Sequence, residues 1–299
     1  MVVGGRVVLL MAGTVALRAG RERAADSGLH NQGVEPAAGA WPTIALEGLR
    51  KVYGTRVAVE GLTLSVGAGE LFGFIGPNGA GKTTTIKMAV GLLQPSAGRV
   101  CIGGHDAHRD GLAARRVTGY VPDTAALYDK LSGWETLELA ADLHGVPVRQ
   151  RRARMEAALH SFELEEVAGE LVQAYSRGMR QKLALCAALI HDPLVLFLDE
   201  PTVGLDPRSA RQLKDALRGL CREGRTVFLS THVLEVAAAL CDRVGVLDGG
   251  RLVACGTVSE LQALAADGRG APVDLEAAFL ALTGEGSGDL AGLLAALER

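Results

Sequence analysis

Apolar and polar positions follow regular patterns from about Thr43 onward. Short alternating or fully apolar runs predict strands at 44–47, 57–60, 62–66, 71–75, 194–198, 226–230 and 243–247. Apolar residues at helical spacing predict helices within 134–189, over 208–220 and over 275–282. Because strands alternate with helices and no internal repeat is visible, we expect an α/β fold built on one parallel sheet.

The chain of 299 residues is long enough for about two structural units, and its N-terminal part lacks the pattern of the rest. The apolar stretch from Val7 to Leu17 follows Arg6 and has a faint similarity to a short signal peptide. Residues 18–42 are rich in Gly, Ala and Arg and show no periodicity. We therefore interpret residues 1–42 as a disordered extension or an over-long translated start.

Composition narrows the class of protein. The 31 basic and 34 acidic residues give a net charge of −3, which does not indicate a duplex-DNA binder. Aromatic residues make up 4%, too few for a base-stacking or lectin-like surface, and 48% hydrophobic residues argue against disorder. The five cysteines lack metal-ligand or disulfide spacing, so we interpret them as small buried side chains in a reducing compartment. No apolar run reaches the roughly 18 residues of a membrane span.

The apolar run 71–75 leads directly into a glycine-rich loop, 76–83, that matches G-x-x-x-x-G-K-[ST]. Glycines let backbone N–H groups surround phosphate oxygens, and the following helix directs its positive end at the same anion. Lys82 adds a charge for the β and γ phosphates, and the Thr83 hydroxyl suits Mg²⁺. The predicted nucleotide-binding residues of this loop are Gly76, Pro77, Asn78, Gly79, Ala80, Gly81, Lys82, Thr83 and Thr84.

A second apolar run, 194–198, is followed by two carboxylates, Asp199 and Glu200. A buried strand delivers such residues to the carboxyl edge of a parallel sheet, where ligands of these sheets bind. Asp199 is suited there to hold Mg²⁺, directly or through water, and Glu200 to orient or deprotonate an attacking water. An Asp-Glu pair alone is a weak signal, but it becomes a strong one beside a phosphate-binding loop.

Four further motifs occur in order along the chain. They are Val52-Tyr53-Gly54, Tyr175-Ser176-Arg177-Gly178-Met179-Arg180-Gln181-Lys182, Gly204-Leu205-Asp206 and Ser230-Thr231-His232. With these motifs the chain resembles, over about residues 43–283, the ATP-binding subunit of ABC transporters. The second motif is similar to the signature variant Y-S-[KR]-G-M-R-Q, which is associated with exporter-type, ABC-2-like drug and antibiotic exporter ATPases.

The resemblance assigns roles to residues that carry little signal alone. It implies that Tyr53 stacks on adenine and that His232 acts in catalysis beside Glu200. It also implies nucleotide contacts for the signature and the loop after Glu200, at Ser176, Gly178, Met179 and Asp206.

The resemblance also implies an architecture and a set of partners. The fold would be a P-loop NTPase with a RecA-like α/β core, a small antiparallel β-layer and a helical subdomain. The ATPase domain would span 43–256, its helical subdomain about 124–189, and a C-terminal helical extension and tail 257–299. The implied cofactors are ATP and Mg²⁺. Two copies, or one copy and a paralogous ATPase, would enclose ATP between Lys82 of one chain and Ser176 of the other.

The same resemblance implies a place in the cell. Separate transmembrane permease subunits would hold the chain in the cytoplasm, peripherally on the inner face of the cell membrane, and no nucleic acid would take part. Hydrolysis would drive export of a substrate that this chain does not reveal, because the transport pocket would lie in the permease.

The chain departs from the family pattern at three positions. Asp123 stands where the family most often has Gln, before the helical insertion. A carboxylate can still approach Mg²⁺ or water, but it lacks the amide donors, so we predict a nucleotide and metal contact at Asp123 with its exact role open. Arg177 and Met179 replace a Gly and a Gln of the usual signature, which leaves Ser176 and Gly178 for phosphate contact.

Two alternatives to the transport ATPase remain. A non-transporter ABC ATPase of the DNA-repair or translation type usually carries a coiled coil, zinc modules or two cassettes, which this sequence lacks. A non-hydrolysing nucleotide-binding regulator is disfavoured by the full set of hydrolytic residues. A basic run in the helical part indicates either a solvated face or a contact with a membrane subunit or anionic headgroups. Its members are Arg149, Arg151, Arg152 and Arg154.

Overall fold

The structure is a computed structural model that describes residues 42–203, 205–265 and 274–283. The interpretation of residues 1–42 concerns, apart from Pro42, residues outside these ranges, as does the predicted C-terminal tail. Within the described ranges, no helix combines the length and the apolar character needed to cross a membrane.

A small antiparallel sheet opens the described chain. Its strands are β1 (Ile44–Tyr53), β2 (Arg56–Val66), β4 (Ala97–Ile102) and β5 (His105–Asp106), in the order β2-β1-β4-β5. The prediction of separate strands at 57–60 and 62–66 is wrong, because both belong to β2, and β1 extends past the predicted 44–47. The β1–β2 register shifts between Leu49 and Lys51, and such a bulge lets pairing continue on both of its sides.

The main sheet has six strands and carries the predicted parallel core. They are β3 (Leu71–Ile75), β6 (Thr118–Val121), β7 (Val195–Asp199), β8 (Thr226–Thr231), β9 (Arg243–Asp248) and β10 (Arg251–Gly256), in the order β10-β9-β3-β8-β7-β6. Five strands are parallel, and β10 pairs antiparallel with β9 at one edge. Every residue of β3, β7 and β8 is buried, as expected of strands covered on both faces.

Helices fill the connections between strands. Around the sheets lie α1 (Lys82–Ala89), α2 (Gly111–Arg116), α6 (Pro207–Arg222), α7 (Leu234–Leu240), α8 (Val258–Ala265) and α9 (Leu275–Thr283). Between β6 and β7 lie α3 (Gly133–Leu143), α4 (Val148–Ser161) and α5 (Arg177–Leu189), with 3₁₀ turns at Glu165–Val167 and Val172–Ala174. The helices predicted at 208–220 and 275–282 are α6 and α9, and both predictions are confirmed.

The two faces of the main sheet pack against different layers. One face contributes Phe72, Phe74, Phe197 and Phe228, whose ring centroids lie 5.3–5.4 Å apart around Phe228, and it packs toward the small sheet. The other face packs against the helices that follow β6 and β7. The main sheet thus lies between a β-layer and a helical layer, with its carboxyl edge at the boundary.

The helical segment between β6 and β7 is fastened to the core by polar contacts as well as apolar ones. The His144 ring after α3 stacks on the His191 ring after α5, with centroids 3.7 Å apart and planes 6° apart. His191 Nε2 also lies 3.1 Å from Thr118 O of β6. Arg154 donates to Ile190 O, while Arg152 pairs with Glu156 along α4. Arg154 and Arg152 of the basic run thus both have partners within the helical segment.

Candidate functional site

The glycine-rich loop connects β3 to α1 and has a tightly constrained backbone. Its Ala80 N donates to Pro77 O over 3.2 Å, which turns the loop back on itself. Gly81, directly before α1, has φ of 108°, and a Cβ there would lie 2.6 Å from Ala58 O of β2. Only glycine fits this combination of left-handed backbone and close approach. The predicted loop therefore forms between strand and helix, as its motif requires.

A turn from the far edge of the main sheet holds the loop in place. Gly250, between β9 and β10, donates its N–H to Ala80 O over 3.0 Å, and Glu60 N of β2 donates to Gly250 O over 2.8 Å. The loop backbone is thus linked through one residue to both sheets. No local pattern in the sequence indicates this bracing, because its parts lie far apart along the chain.

The Lys82 ammonium lies inside the loop. Its Nζ donates to Gly76 O over 2.6 Å and to Pro77 O over 3.2 Å, and it lies 3.8 Å from Glu200 Oε1. Burial lowers the pKa of Lys82, and the carboxylates of Glu200 and Asp199 oppose that shift. The Lys82 ammonium thus places one positive charge at the base of the loop. A bound phosphate could replace the carbonyl oxygens of Gly76 and Pro77 as its hydrogen-bond partner.

The two predicted carboxylates stand at the carboxyl end of β7, as expected. Asp199 is fully buried and pairs in register with Ser230 of β8. Its Oδ1 accepts a hydrogen bond from Ser230 Oγ, whereas its buried Oδ2 has no partner among the described residues. An unpartnered buried carboxylate oxygen is costly unless a ligand satisfies it.

Glu200 lies between a lysine and a histidine. Its Oε1 faces Lys82, and its Oε2 lies 2.9 Å from His232 Nδ1 and accepts from His232 N over 3.3 Å. The backbone of Glu200 is left-handed, with φ of 50°, which a non-glycine residue adopts only at a cost of about 1 kcal/mol or more. The predicted catalytic pair, Glu200 and His232, is therefore assembled at one point.

These groups open onto a cleft of about 410 Å³. Its lining contains Tyr53, Asn78, Gly79, Gly81, Lys82, Thr83, Thr84, Asp123 and Glu200 from the predicted set, together with Arg56 and Ala58. The lining does not include Gly76, Pro77 and Ala80 of the loop, Asp199 at the end of β7, or His232, which contacts Glu200 from the end of β8. The cleft therefore joins the small sheet, the loop and the carboxyl edge of the main sheet.

Arg56 and Ala58 line the cleft although neither was predicted, and Tyr120 lies near two of the predicted acidic residues. Arg56 begins β2 and reaches over the loop, where its Nη2 lies 4.0 Å from the position of a Cβ at Gly79. Nothing in the local sequence marks it, because its position depends on how β1 and β2 fold over the loop. Tyr120 of β6 lies near Asp199 and Asp123, and burial, with these two charges adding to it, raises its pKa to about 12. A polar residue near the end of a strand beside β7 could have indicated it.

Tyr53 and Asp123 are two further predicted residues in the lining of the cleft. The Tyr53 ring is half exposed, and Lys51 Nζ lies 5.1 Å from its centroid. This leaves ring surface free for a planar ligand. The exposed Asp123 carboxylate accepts a hydrogen bond from Thr124 N over 2.8 Å.

The four residues implied at the signature and after Glu200 do not line this cleft. Ser176 caps α5 and accepts from Met179 N over 3.3 Å, and Gly178 faces Leu205, whose Cδ2 lies 3.7 Å from a Cβ position at Gly178. Asp206 caps α6. Hydrogen bonds from the Ser209 hydroxyl and backbone lower the pKa of Asp206. These residues lie at the start of two helices, apart from the loop of their own chain.

A parallel sheet with a buried lysine in a glycine-rich loop, beside a strand that ends in two carboxylates, defines a P-loop nucleoside triphosphatase. Residues 59–203 match the ABC transporter family. The chain is 46% identical over 220 residues to the daunorubicin resistance ATP-binding protein DrrA3 of Streptomyces coeruleorubidus. The aligned region covers 74% of this chain and 70% of that protein. The chain therefore belongs to the ABC transporter family, as one of its ATP-binding subunits.

Two further comparisons agree with this assignment. The Nod factor export ATP-binding protein I of Ralstonia nicotianae is 43% identical over 231 residues, covering 76% of this chain and 70% of that protein. A dimeric structure of the ATP-binding cassette MJ0796 in a post-hydrolysis state, bound to ADP and Pi, superposes with a TM-score of 0.67 at 25% identity, covering 72% of this chain and 98% of that one. The predicted family, fold class and ATPase activity are confirmed, and the subunits of this family bind ATP.

Proposed function

We propose that this ATPase drives export of a compound through separate membrane subunits. The observation that carries the proposal is the opening of Lys82, Glu200 and the glycine-rich loop onto one cleft. Support for export comes from the Nod factor export protein and the daunorubicin resistance protein, whose names tie two similar sequences to export and to drug resistance. The chain would then lie in the cytoplasm, at the inner face of the cell membrane.

The residues of the cleft divide the work between binding and chemistry. The loop N–H groups and Lys82 hold the phosphates, while Tyr53 stacks on the adenine ring. Glu200 takes a proton from the attacking water or orients it, and His232 holds the γ-phosphate beside it. Asp123 joins this set from the loop after β6, where it lines the cleft and would contact water or metal.

Magnesium fits the inner end of this cleft. Asp199 supplies a buried oxygen without a partner in the described chain, and Thr83 supplies a hydroxyl at the lining. Carboxylate and hydroxyl oxygens are ligands that Mg²⁺ prefers, and phosphates complete such sites. When bound, the ion neutralises charge on the β and γ phosphates.

The position of the signature supports a two-chain site. Ser176, Gly178, Met179 and Asp206 contribute nothing to their own cleft, and a capped helix N-terminus such as that of α5 attracts phosphate. We assign these residues to the ATP bound by a second chain, either another copy or a paralogous ATPase. The dimeric MJ0796 structure is consistent with this arrangement.

The domain limits follow from the same reasoning. We assign 43–256 to the ATPase domain, about 124–189 to its helical subdomain and 257–299 to a C-terminal extension. The position of α3, α4 and α5 between β6 and β7 supports the subdomain, and the contact of α8 and α9 with each other supports the extension.

Phosphate release from ATP tests the proposal. Lys82→Ala should abolish hydrolysis and weaken ATP binding at least about ten-fold, because charge-assisted hydrogen bonds contribute about 1.5–3 kcal/mol. Lys87→Ala is the matched control, because Lys87 is exposed on the same helix and should leave both properties unchanged. Wild-type binding and turnover by the Lys82 variant, measured by calorimetry and phosphate release, would falsify the assignment.

A further inference from the structure

Ser230 is a polar residue in the middle of the main sheet that none of the proposed roles uses. It is fully buried in β8, where it pairs with Asp199 of β7 on one side and with Phe74 of β3 on the other. The strand that enters the phosphate loop and the strand that ends in the two carboxylates therefore meet at this residue. A buried hydroxyl in such a place needs hydrogen-bond partners.

The Ser230 hydroxyl contacts both acidic residues. It donates to Asp199 Oδ1 and accepts from Glu200 N over 3.2 Å. The bond to Oδ1 commits one oxygen of Asp199 and leaves Oδ2 as the oxygen without a partner among the described residues. One side chain thus determines which carboxylate oxygen of Asp199 is available to a ligand.

The second contact of the Ser230 hydroxyl is with Glu200, the residue with the strained, left-handed backbone. Glu200 N also donates to Ser230 O over 3.1 Å, so its single N–H is shared between the backbone and the side chain of Ser230. This shared bond helps hold the left-handed backbone of Glu200, from which its side chain reaches Lys82 and His232. A substitution at Ser230 would therefore affect both Asp199, the proposed metal ligand, and Glu200, the proposed catalytic carboxylate.

We propose that Ser230 is a positioning residue for this ATPase, which orients Asp199 toward the metal ion and holds the backbone of Glu200. The proposal rests on the function proposed above, since it assigns metal binding to Asp199. Replacing a residue that orients a metal ligand typically lowers the metal affinity about 10–100-fold. A serine that merely fills space between strands would change stability without changing the response to metal.

Nucleotide binding with and without metal separates these two roles. Calorimetry with ADP, which is not hydrolysed, gives an affinity in MgCl₂ and another in excess chelator, and their ratio measures the metal contribution. For Ser230→Ala we expect this ratio to fall about 10–100-fold, with the metal-free affinity within about two-fold of wild type. Ser230→Thr keeps the hydroxyl and should restore most of the ratio.

The matched control is Thr226→Val, which removes another buried hydroxyl from β8. Thr226 Oγ1 donates to Gly67 O at the other end of the strand, so its loss should leave the metal ratio unchanged. If Ser230→Ala does not fold, Ser230→Cys keeps the size with a weak donor, and should lower the ratio. Thermal unfolding of every variant identifies those that fold.

The outcomes distinguish this inference from the proposed function. An unchanged ratio in folded Ser230→Ala or Ser230→Cys, or an equal loss of affinity with and without metal, overturns the positioning role alone. Wild-type protein that binds no nucleotide at all would overturn the proposed function.

Discussion

Glu200 is the central residue of the proposed catalytic chemistry. Its carboxylate lies between the Lys82 ammonium and the His232 ring, and its backbone is held by Ser230. In the proposed function, Glu200 acts on the attacking water while the loop holds the phosphates. Loss of its charge should therefore affect hydrolysis far more than binding.

Glu200→Gln tests this separation. We expect ATP binding to be retained and hydrolysis to fall by about two orders of magnitude or more, because general bases contribute about 10²–10⁴-fold. Single-turnover hydrolysis with pre-bound ATP measures the chemical step apart from binding. Asp123→Ala should be milder, since Asp123 is exposed at the rim. Wild-type turnover by the Glu200 variant together with loss in the Asp123 variant would show that the catalytic carboxylate lies in the other loop.

At this scale the sequence predicts residues whose role is encoded locally. The loop around Lys82 and the pair Asp199-Glu200 are contiguous motifs next to apolar runs, so they could be recognised. Arg56 was not recognised, because the pairing of β1 and β2 brings it over the loop. Ser230 belongs to a recognised motif, but its role was missed because it depends on the pairing of Ser230 with Asp199. The polar Ser230 at the end of an otherwise apolar run was the available signal.

At the scale of elements, the stacked pair His144 and His191 connects the end of α3 to the segment after α5. Burial, reinforced by the neighbouring His144, lowers the pKa of His191 to about 4 from 6.5. Between these two pH values the unfolded chain binds more protons than the folded chain. The contribution of His191 to folding stability is thus fully present above pH 6.5 and is lost as the pH falls toward 4.

Urea unfolding at a series of pH values tests this coupling. His191→Gln should reduce the loss of unfolding free energy between pH 6.5 and 4, which for this one group is at most about 1.4 kcal/mol per pH unit and is lessened by partial solvent exposure. His160→Gln is the control, because His160 is exposed on α4 and pairs only with Glu165. An identical pH slope in wild type and His191→Gln would contradict the buried, neutral state of His191.

Elements with strong periodicity were the ones that the sequence could predict. The buried strands β3, β7 and β8 and the amphipathic α6 carry unbroken patterns. The strands β4, β5, β6 and β10 were not predicted. β4, β5 and β10 are only partly buried and have few apolar positions, and β6 has only four residues. The division of β2 failed for a related reason, since a bulge interrupts the alternation without ending the strand.

At the scale of the whole molecule, the proposed two-chain site rests on the separation of the phosphate loop from the signature. The cleft contains the loop and Glu200, whereas Ser176 begins a helix outside it. The sequence contains both motifs but no information on their distance in the fold. Because the signature does not line the cleft of its own chain, we propose that a second chain completes the site.

Ser176→Arg tests the two-chain site. In a Glu200→Gln background, ATP should still bind to the single chain, but the bulky cation should prevent ATP-dependent dimers. Light scattering with ATP measures the dimers, and calorimetry measures binding. Ser259→Arg on α8 is the control, because Ser259 is exposed on a helix that contributes nothing to the cleft. Dimers that persist in the Ser176 variant would count against the shared site.

The turn at Gly250 extends the nucleotide site beyond the residues that a nucleotide would touch. Its left-handed backbone, with φ of 80°, and the 2.7 Å between a Cβ there and Ala58 O exclude a larger residue, while its N–H holds Ala80. A larger residue at Gly250 would therefore displace the glycine-rich phosphate loop, which lies some 170 residues earlier in the sequence. The structure of the nucleotide site therefore depends on more residues than its motif contains. We expect nucleotide binding to limit which residues are tolerated at Gly250, although Gly250 does not line the cleft.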